Sequence, residues 1–226
     1  MALYEGIALI QEKQAVVLDL GTDYTKFGFT GEAAPRCIVR SEFWCAASRC
    51  YRRVHDYSSP DELYDNLVHM LHLLYFRHVL VNPKERKVVV VESLLTPTLF
   101  RETLAKVLFT HYEVSGVIWA DSGRLCALTL GTPVTLVVSI GAREAELRHL
   151  VTQPPYAASL HIAQFKFHSA PAQSNAVAWL GGAVLGAGEA GAARALAREQ
   201  YARERRLRDW VCLLDNTPAQ HPHRDM

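Results

Sequence analysis

The chain has 226 residues, half of them apolar, and its 24 basic and 23 acidic side chains give a formal net charge of +1. A chain of this length and composition can bury a hydrophobic core and corresponds to one or two domains. Because the charges nearly cancel, the sequence excludes a general electrostatic attraction to nucleic acid or to an anionic membrane surface.

The first predicted elements are three short strands in a meander. Residues 15–20 form an apolar run that stops at Gly21, and residues 24–29 alternate immediately afterwards, as in a β-hairpin. A third short run, residues 36–39, follows a glycine and a proline. The sequence therefore predicts that the chain opens with antiparallel strands.

A helix is predicted to begin at Ser59. This serine is a suitable N-cap, Pro60 occupies the first helical position, and Glu62 lies three residues after the cap. The apolar face of the helix recurs at a spacing of three to four residues until Asn82-Pro83, and consists of Leu63, Leu67, Leu71 and Leu74.

Strands and helices then alternate. Residues 87–91 are a continuous β-branched run, which is typical of a strand covered on both faces. The following elements are a helix opened by Thr96-Pro97, a strand at 116–119, a helix at 122–130 and a hairpin of residues 134–140 and 144–150. This alternation after a meander predicts an α/β fold with a mixed sheet flanked by helices.

The last third of the chain has weaker signals. Residues 151–175 are predicted to be a connecting segment with one strand at 160–167. Residues 176–193 are predicted to form a helix and turn of small residues. Residues 192–210 are predicted to form an arginine-rich helix before a polar tail. A membrane span over 176–193 is the weaker interpretation, because several glycines and Glu189 interrupt the apolar residues.

The cysteines indicate reduced thiols. They are odd in number, scattered and without a C-x-x-C pair, which disfavours a disulfide framework or a zinc site. They are Cys37, Cys45, Cys50, Cys126 and Cys212. Together with an N-terminus that lacks a basic and apolar leader, they lead us to expect a cytoplasmic protein.

Several short motifs resemble actin. Residues 19–22 (DLGT) and 26–36 (KFGFTGEAAPR) are similar to the opening of actins, and residues 175–182 and 198–201 are similar to elements near the actin C-terminus. Residues 74–109 resemble in particular the actin-related proteins of the dynactin pointed end. The matches cover roughly residues 3–150 and 168–214, most of the chain.

The resemblance implies an actin-like, ribonuclease H-like lobe with the second lobe largely missing. It divides the chain into an N-terminal lobe at 1–150, a connecting segment at 151–175, C-terminal helices at 176–214 that pack back on the lobe, and a polar tail at 215–226. With one wall of the nucleotide cleft missing, we expect a triphosphate to be held from one side only, and hydrolysis to be lost.

The resemblance also implies a cofactor-binding turn. In actins two Asp-x-Gly turns face the ATP phosphates, and here the remnant of the first consists of Asp19, Gly21, Thr22 and Lys26. The second turn reads SIGAR at residues 139–143, so a serine replaces the metal-linked carboxylate and an arginine the second glycine. Ser122 falls where actins keep a glutamine that orients water.

These features predict a non-catalytic subunit that caps the pointed end of the actin-like filament of dynactin and supports microtubule-based transport. Its predicted partners are actin-like filament subunits and other pointed-end subunits, with no nucleic acid, no direct membrane insertion, no metal and no catalytic residue. No cofactor is expected, and residual ATP or ADP with Mg²⁺ is the less favoured state. The alternatives are a nucleotide-binding ATPase or kinase-like module and an incomplete gene model or splice form.

Individual signals leave further alternatives open. The Asp19 turn is either a phosphate site or simply a hairpin turn. His69 and His72 are metal ligands or, more commonly, half-exposed helix residues. The arginines of residues 194–208 are a binding patch or a solvated helix face, and Trp44 and Tyr51 are interface anchors or core residues.

Overall fold

The fold is built on one large sheet and two small ones. The structure, a computed structural model, describes residues 14–131, 134–151, 166–188 and 194–207. Its strands are β1 Val16–Leu20, β2 Tyr24–Phe29, β3 Cys37–Arg40, β4 Glu42–Cys45, β5 Cys50–Arg53, β6 Lys87–Glu92, β7 Gly116–Asp121, β8 Val134–Ile140, β9 Ala145–Val151 and β10 Leu196–Ala197.

The large sheet has the strand order β10-β7-β6-β1-β2-β3. Strands β1, β2 and β3 are antiparallel neighbours, whereas β1, β6 and β7 run parallel. The predicted meander and the predicted mixed α/β architecture are therefore confirmed. Residues 88–91 of β6 are all buried, as expected for a strand with helices on both sides.

Five α-helices lie in the described part of the chain. They are α1 Pro60–Leu73, α2 Thr98–Lys106, α3 Ser122–Leu130, α4 Val177–Ala187 and α5 Arg198–Glu204, and short π-helical turns at Leu74–Val79 and Val107–His111 extend α1 and α2. The predicted cap of α1 is present, because the Ser59 hydroxyl accepts from the Glu62 N–H at 3.2 Å. The Glu62 carboxylate accepts from the Ser58 N–H at 2.7 Å rather than from the cap residue itself.

Alternate residues of the central strands enter two different cores. Val16 and Leu18 of β1 pack with the apolar faces of α1 and α2. Val17 points to the opposite side, where it packs with Trp179 and Ala183 of α4 and with α3. The sheet is thus covered on both faces, which follows from the period-two alternation of side chains along each strand.

The C-terminal segment differs from the prediction. A helix over 192–210 is wrong, because Leu196 and Ala197 instead form β10, antiparallel to Val117 and Gly116 at the edge of the sheet. Of the described residues 194–207, those of α5 are helical, and Arg205, with a φ of 51°, ends this helix. The unpaired edge of β7 offers hydrogen bonds that outweigh local helix propensity. The predicted strand at 160–167 lies mostly outside the described residues, and 166–167 have no regular structure.

A separate hairpin, β4–β5, stands between β3 and α1. Trp44 and Tyr51 face each other across it with ring centroids 5.3 Å apart, edge to face, and their exposed fractions are 54% and 66%. Of the two interpretations of this aromatic pair, the core location is therefore wrong. None of the helices in the described ranges is long and apolar enough to cross a membrane.

Candidate functional site

A cleft of about 780 Å³ opens at the carboxyl ends of the parallel strands. It lies where β1 and β6 end and where α3 begins after β7, a position that favours ligand sites in α/β sheets. Both turns identified in the sequence border it: Asp19, Gly21, Thr22 and Lys26 from the first, and Ser139, Gly141 and Ala142 from the second. The expectation that this site has only one side is corrected, because the β8–β9 hairpin supplies the other.

The first turn is closed by its own contacts. Lys26 Nζ lies 2.7 Å from Asp19 Oδ2, and the two residues are direct cross-strand partners in the β1–β2 register. The side chains are only 12% and 17% exposed. The Gly21 N–H donates to the Tyr24 carbonyl at 3.2 Å, and a Cβ on this glycine would lie 2.8 Å from the same oxygen. The lysine charge and the glycine amide are therefore already engaged.

Two side chains that the sequence analysis did not identify support this turn. The carbonyl of Gly21 accepts from the Ser41 hydroxyl at 2.6 Å and from His55 Nε2 at 3.2 Å. The His55 ring stacks on Phe100 with centroids 4.8 Å apart. Burial lowers the pKa of His55 below its ordinary value, although its hydrogen bond to Gly21 opposes this. No sequence motif links these residues, because they meet only through the fold.

The second turn is also internally bonded. The Gly141 N–H donates to the Glu144 carbonyl at 2.8 Å, so this amide, too, is used within its own turn. Arg143 points to Asp56, with a separation of 3.4 Å between exposed side chains. Ser93, at the end of β6, donates to the Glu144 carboxylate at 3.0 Å and contacts Glu146 as well. Ser122, predicted at the water-orienting position, lines the cleft.

The charges that line the cleft are predominantly negative. Among the residues that the structure describes, five carboxylates border it, against two permanent cations, Lys26 and Arg101. Each cation has a carboxylate partner, Asp19 for Lys26 and Glu92 for Arg101, the latter at 3.1 Å. Within the described lining, Glu144 and Glu146 are an excess of negative charge, because the fifth carboxylate pairs with an arginine outside the lining. A polyphosphate entering this cleft would meet electrostatic repulsion.

The candidate metal ligands on α1 have other contacts. The His69 Nδ1 atom is 2.7 Å from the Asp65 carbonyl, and its ring stacks on Phe43. The His72 ring packs against Phe76. Within the described ranges, no group of three or more histidine, cysteine, aspartate and glutamate side chains is placed to hold a metal ion.

Comparison with known proteins identifies distant relatives. No family model matches the chain. The chain is 24% identical over 155 residues to actin-related protein 10 of Dictyostelium discoideum, a match that covers 58% of this chain and 33% of that protein. It is 22% identical over 161 residues to actin-related protein 2 of Arabidopsis thaliana, covering 58% of this chain and 40% of that protein.

These matches bear on both fold and length. The matched region spans only a third to two fifths of the curated relatives. The predicted resemblance to actin-related proteins is confirmed, and it implies an actin-like fold. The mixed sheet flanked by helices is consistent with that fold.

Proposed function

We propose that this chain is a non-catalytic actin-related subunit of dynactin, which caps the pointed end of the complex's actin-like filament in the cytoplasm. Its partners are then the actin-like filament subunits and the other pointed-end subunits, and its role is to support dynein-driven movement along microtubules. Two observations support this proposal: the similarity to actin-related proteins, and the resemblance of the sequence of residues 74–109 to the actin-related proteins of the dynactin pointed end.

The proposal that the subunit is non-catalytic rests on the contacts that the phosphate-facing groups of the cleft already make. Phosphoryl transfer depends on cations and backbone N–H groups that are free to meet the phosphates. Here Lys26 is paired with Asp19, and the Gly21 and Gly141 amides donate within their own turns. The excess carboxylates at Glu144 and Glu146 add repulsion. A triphosphate would have to break these contacts before it could bind.

The short segment between β3 and α1 supports the capping role. It contains only the β4–β5 hairpin, where the family resemblance leads one to expect a larger outer subdomain. A subunit that docks on the last filament protomer but offers a reduced surface to the next one ends the assembly, because heterologous contacts continue only if both surfaces are present. In this proposal residues 1–150 form the actin-like lobe, residues 151–175 are the connecting segment, and residues 176–214 pack back on the lobe.

Affinity purification of the tagged full chain tests the capping role. We expect actin-like filament subunits and pointed-end subunits of dynactin to co-purify with it. The matched control is conventional actin carrying the same tag at the same expression level. If the chain purifies without dynactin subunits under conditions that keep dynactin intact, the proposed role is wrong.

The volume of the cleft supports a second candidate function, nucleotide binding. About 780 Å³ is within the usual range of small-molecule sites, and the two turns face each other across it. Calorimetry of the full chain with ATP and Mg²⁺ separates the two functions. Micromolar binding that Lys26→Ala abolishes, and that Lys87→Ala at an exposed site leaves intact, would establish a nucleotide site. The absence of binding heat is the result expected for the non-catalytic subunit.

A further inference from the structure

The loop end of the β4–β5 hairpin places two cysteines directly opposite each other. Cys45 and Cys50 are the last register pair before the four-residue loop. Directly opposed residues of antiparallel strands have Cα atoms roughly 4.5–5.5 Å apart and side chains on the same face. A disulfide requires a Cα separation of roughly 4.4–6.8 Å. The backbone is therefore already arranged for a bond between these two residues.

The loop residue Ser48 contacts one of the two thiols. Cys50 Sγ donates to Ser48 Oγ at 3.2 Å. Both cysteines are free thiols, Cys50 is exposed, and Cys45 is partly exposed. The opposed register and this exposure leave both residues within reach of each other, of solvent and of small oxidants.

We propose that Cys45 and Cys50 are a redox modification site, at which a low-molecular-weight disulfide such as oxidised glutathione converts the two thiols into a reversible cross-strand disulfide. This inference is independent of the proposed capping function. In a reducing compartment such a bond forms transiently, and exposed disulfides are the ones that are reduced again most readily.

Cys45 is the attacking residue. Hydrogen bonds from Ser48, together with the nearby positive charge of Arg52, lower the pKa of Cys45 below its ordinary value. By contrast, burial raises the pKa values of Cys37 and Cys126 to about 11, so these thiols are expected to react slowly.

The reaction balances as two exchange steps. The Cys45 thiolate attacks one sulfur of oxidised glutathione, which breaks the S–S bond and releases one glutathione thiolate. Cys50 then loses its proton to solvent, and its thiolate attacks the Cys45 sulfur of the mixed disulfide, which releases the second glutathione. Two protein thiols are oxidised, and one glutathione disulfide is reduced to two thiols.

The bond would fix the strand pair that presents an exposed aromatic surface. Trp44 and Tyr51 are the next register pair along the same hairpin, on its other face. A covalent link at the loop end limits fraying and slippage of β4 against β5, and so holds these two rings in register.

Tryptic mapping of the full chain tests the site. Trypsin cleaves after Arg40, Arg49 and Arg52, so Cys45 and Cys50 fall in separate peptides, residues 41–49 and 50–52. The protein is treated with oxidised glutathione, blocked with N-ethylmaleimide in acid, and digested without reductant. We expect mass spectrometry to show the two peptides joined, and dithiothreitol to separate them.

Single substitutions assign the order of attack. Cys50→Ser should accumulate glutathione on peptide 41–49, and Cys45→Ser should slow modification of peptide 50–52 by about tenfold. Cys37→Ser is the matched control and should leave the joined peptides unchanged. The site is overturned if both peptides carry glutathione separately, if either cysteine is joined to another such as Cys212, or if both stay blocked by N-ethylmaleimide. Circular dichroism of each variant verifies that it is folded.

Discussion

At the scale of single residues, the Asp19–Lys26 pair gives the first turn a contact of its own. In the sequence these residues looked like a remnant phosphate turn, and their residue types alone do not show whether the lysine is free. The 2.7 Å contact, with both side chains largely buried, shows that the lysine has a carboxylate partner within the turn. A mostly buried charge that loses its partner is costly, because neither water nor a counter-ion replaces it fully.

Lys26→Ala is therefore expected to lower the free energy of unfolding by about 2 kcal/mol, through the unpaired carboxylate of Asp19. Urea denaturation followed by circular dichroism measures the change. Adding Asp19→Asn to the Lys26→Ala variant should recover most of the lost stability, because the unpaired carboxylate charge is then removed. Lys87→Ala, at an exposed lysine on β6, is the control and should change stability by less than about 0.5 kcal/mol. Equal effects of the two lysine substitutions would contradict a structural ion pair.

At the scale of elements, local signals predicted most of the described helices and strands but missed the β4–β5 hairpin and β10, and a tertiary contact explains the second failure. The α1 cap, the β6 valine run and the α3 bounds follow from residues adjacent in sequence. The strand β10 could not be predicted, because Leu196 pairs with Val117, a residue far away in the chain. The support of Gly21 by Ser41 and His55 has the same origin. The sequence predicted the turns of the cleft but not the contacts that close them.

Gly181 of α4 is explained by how closely this helix approaches α3. A Cβ at Gly181 would lie 2.2 Å from the Leu125 carbonyl oxygen, which is backbone and cannot move aside cheaply. Gly181→Ala is expected to destabilise the fold by about 3 kcal/mol, because α4 must shift away from α3. Gly188→Ala is the control, since the nearest atoms to its Cβ are 3.7 Å and 3.9 Å away and its φ is −90°. Thermal unfolding midpoints compare the two variants, and similar midpoints would rule out the close approach.

At the scale of the whole molecule, the large sheet separates two hydrophobic cores, one on each face, that are built from different parts of the chain. The helices α1 and α2, from the N-terminal half of the chain, cover one face. The other face is covered by α3 and by α4, which comes from the C-terminal part of the chain. The N-terminal strands and the C-terminal helix thus depend on each other, and they are expected to unfold together.

Trp179 is the residue that joins these two parts. It is fully buried in the second core, and its Nε1 donates to the Val17 carbonyl at 3.2 Å across 162 positions of sequence. Trp179→Ala is expected to cost about 4 kcal/mol, through the cavity and the lost hydrogen bond. Trp44→Ala, at a tryptophan that is 54% exposed, should change stability by less than about 1 kcal/mol. Urea unfolding followed by circular dichroism should show one transition, shifted as a whole in the Trp179 variant. An unchanged midpoint, or a transition that splits in two, would mean that α4 does not stabilise the sheet as part of one cooperative unit.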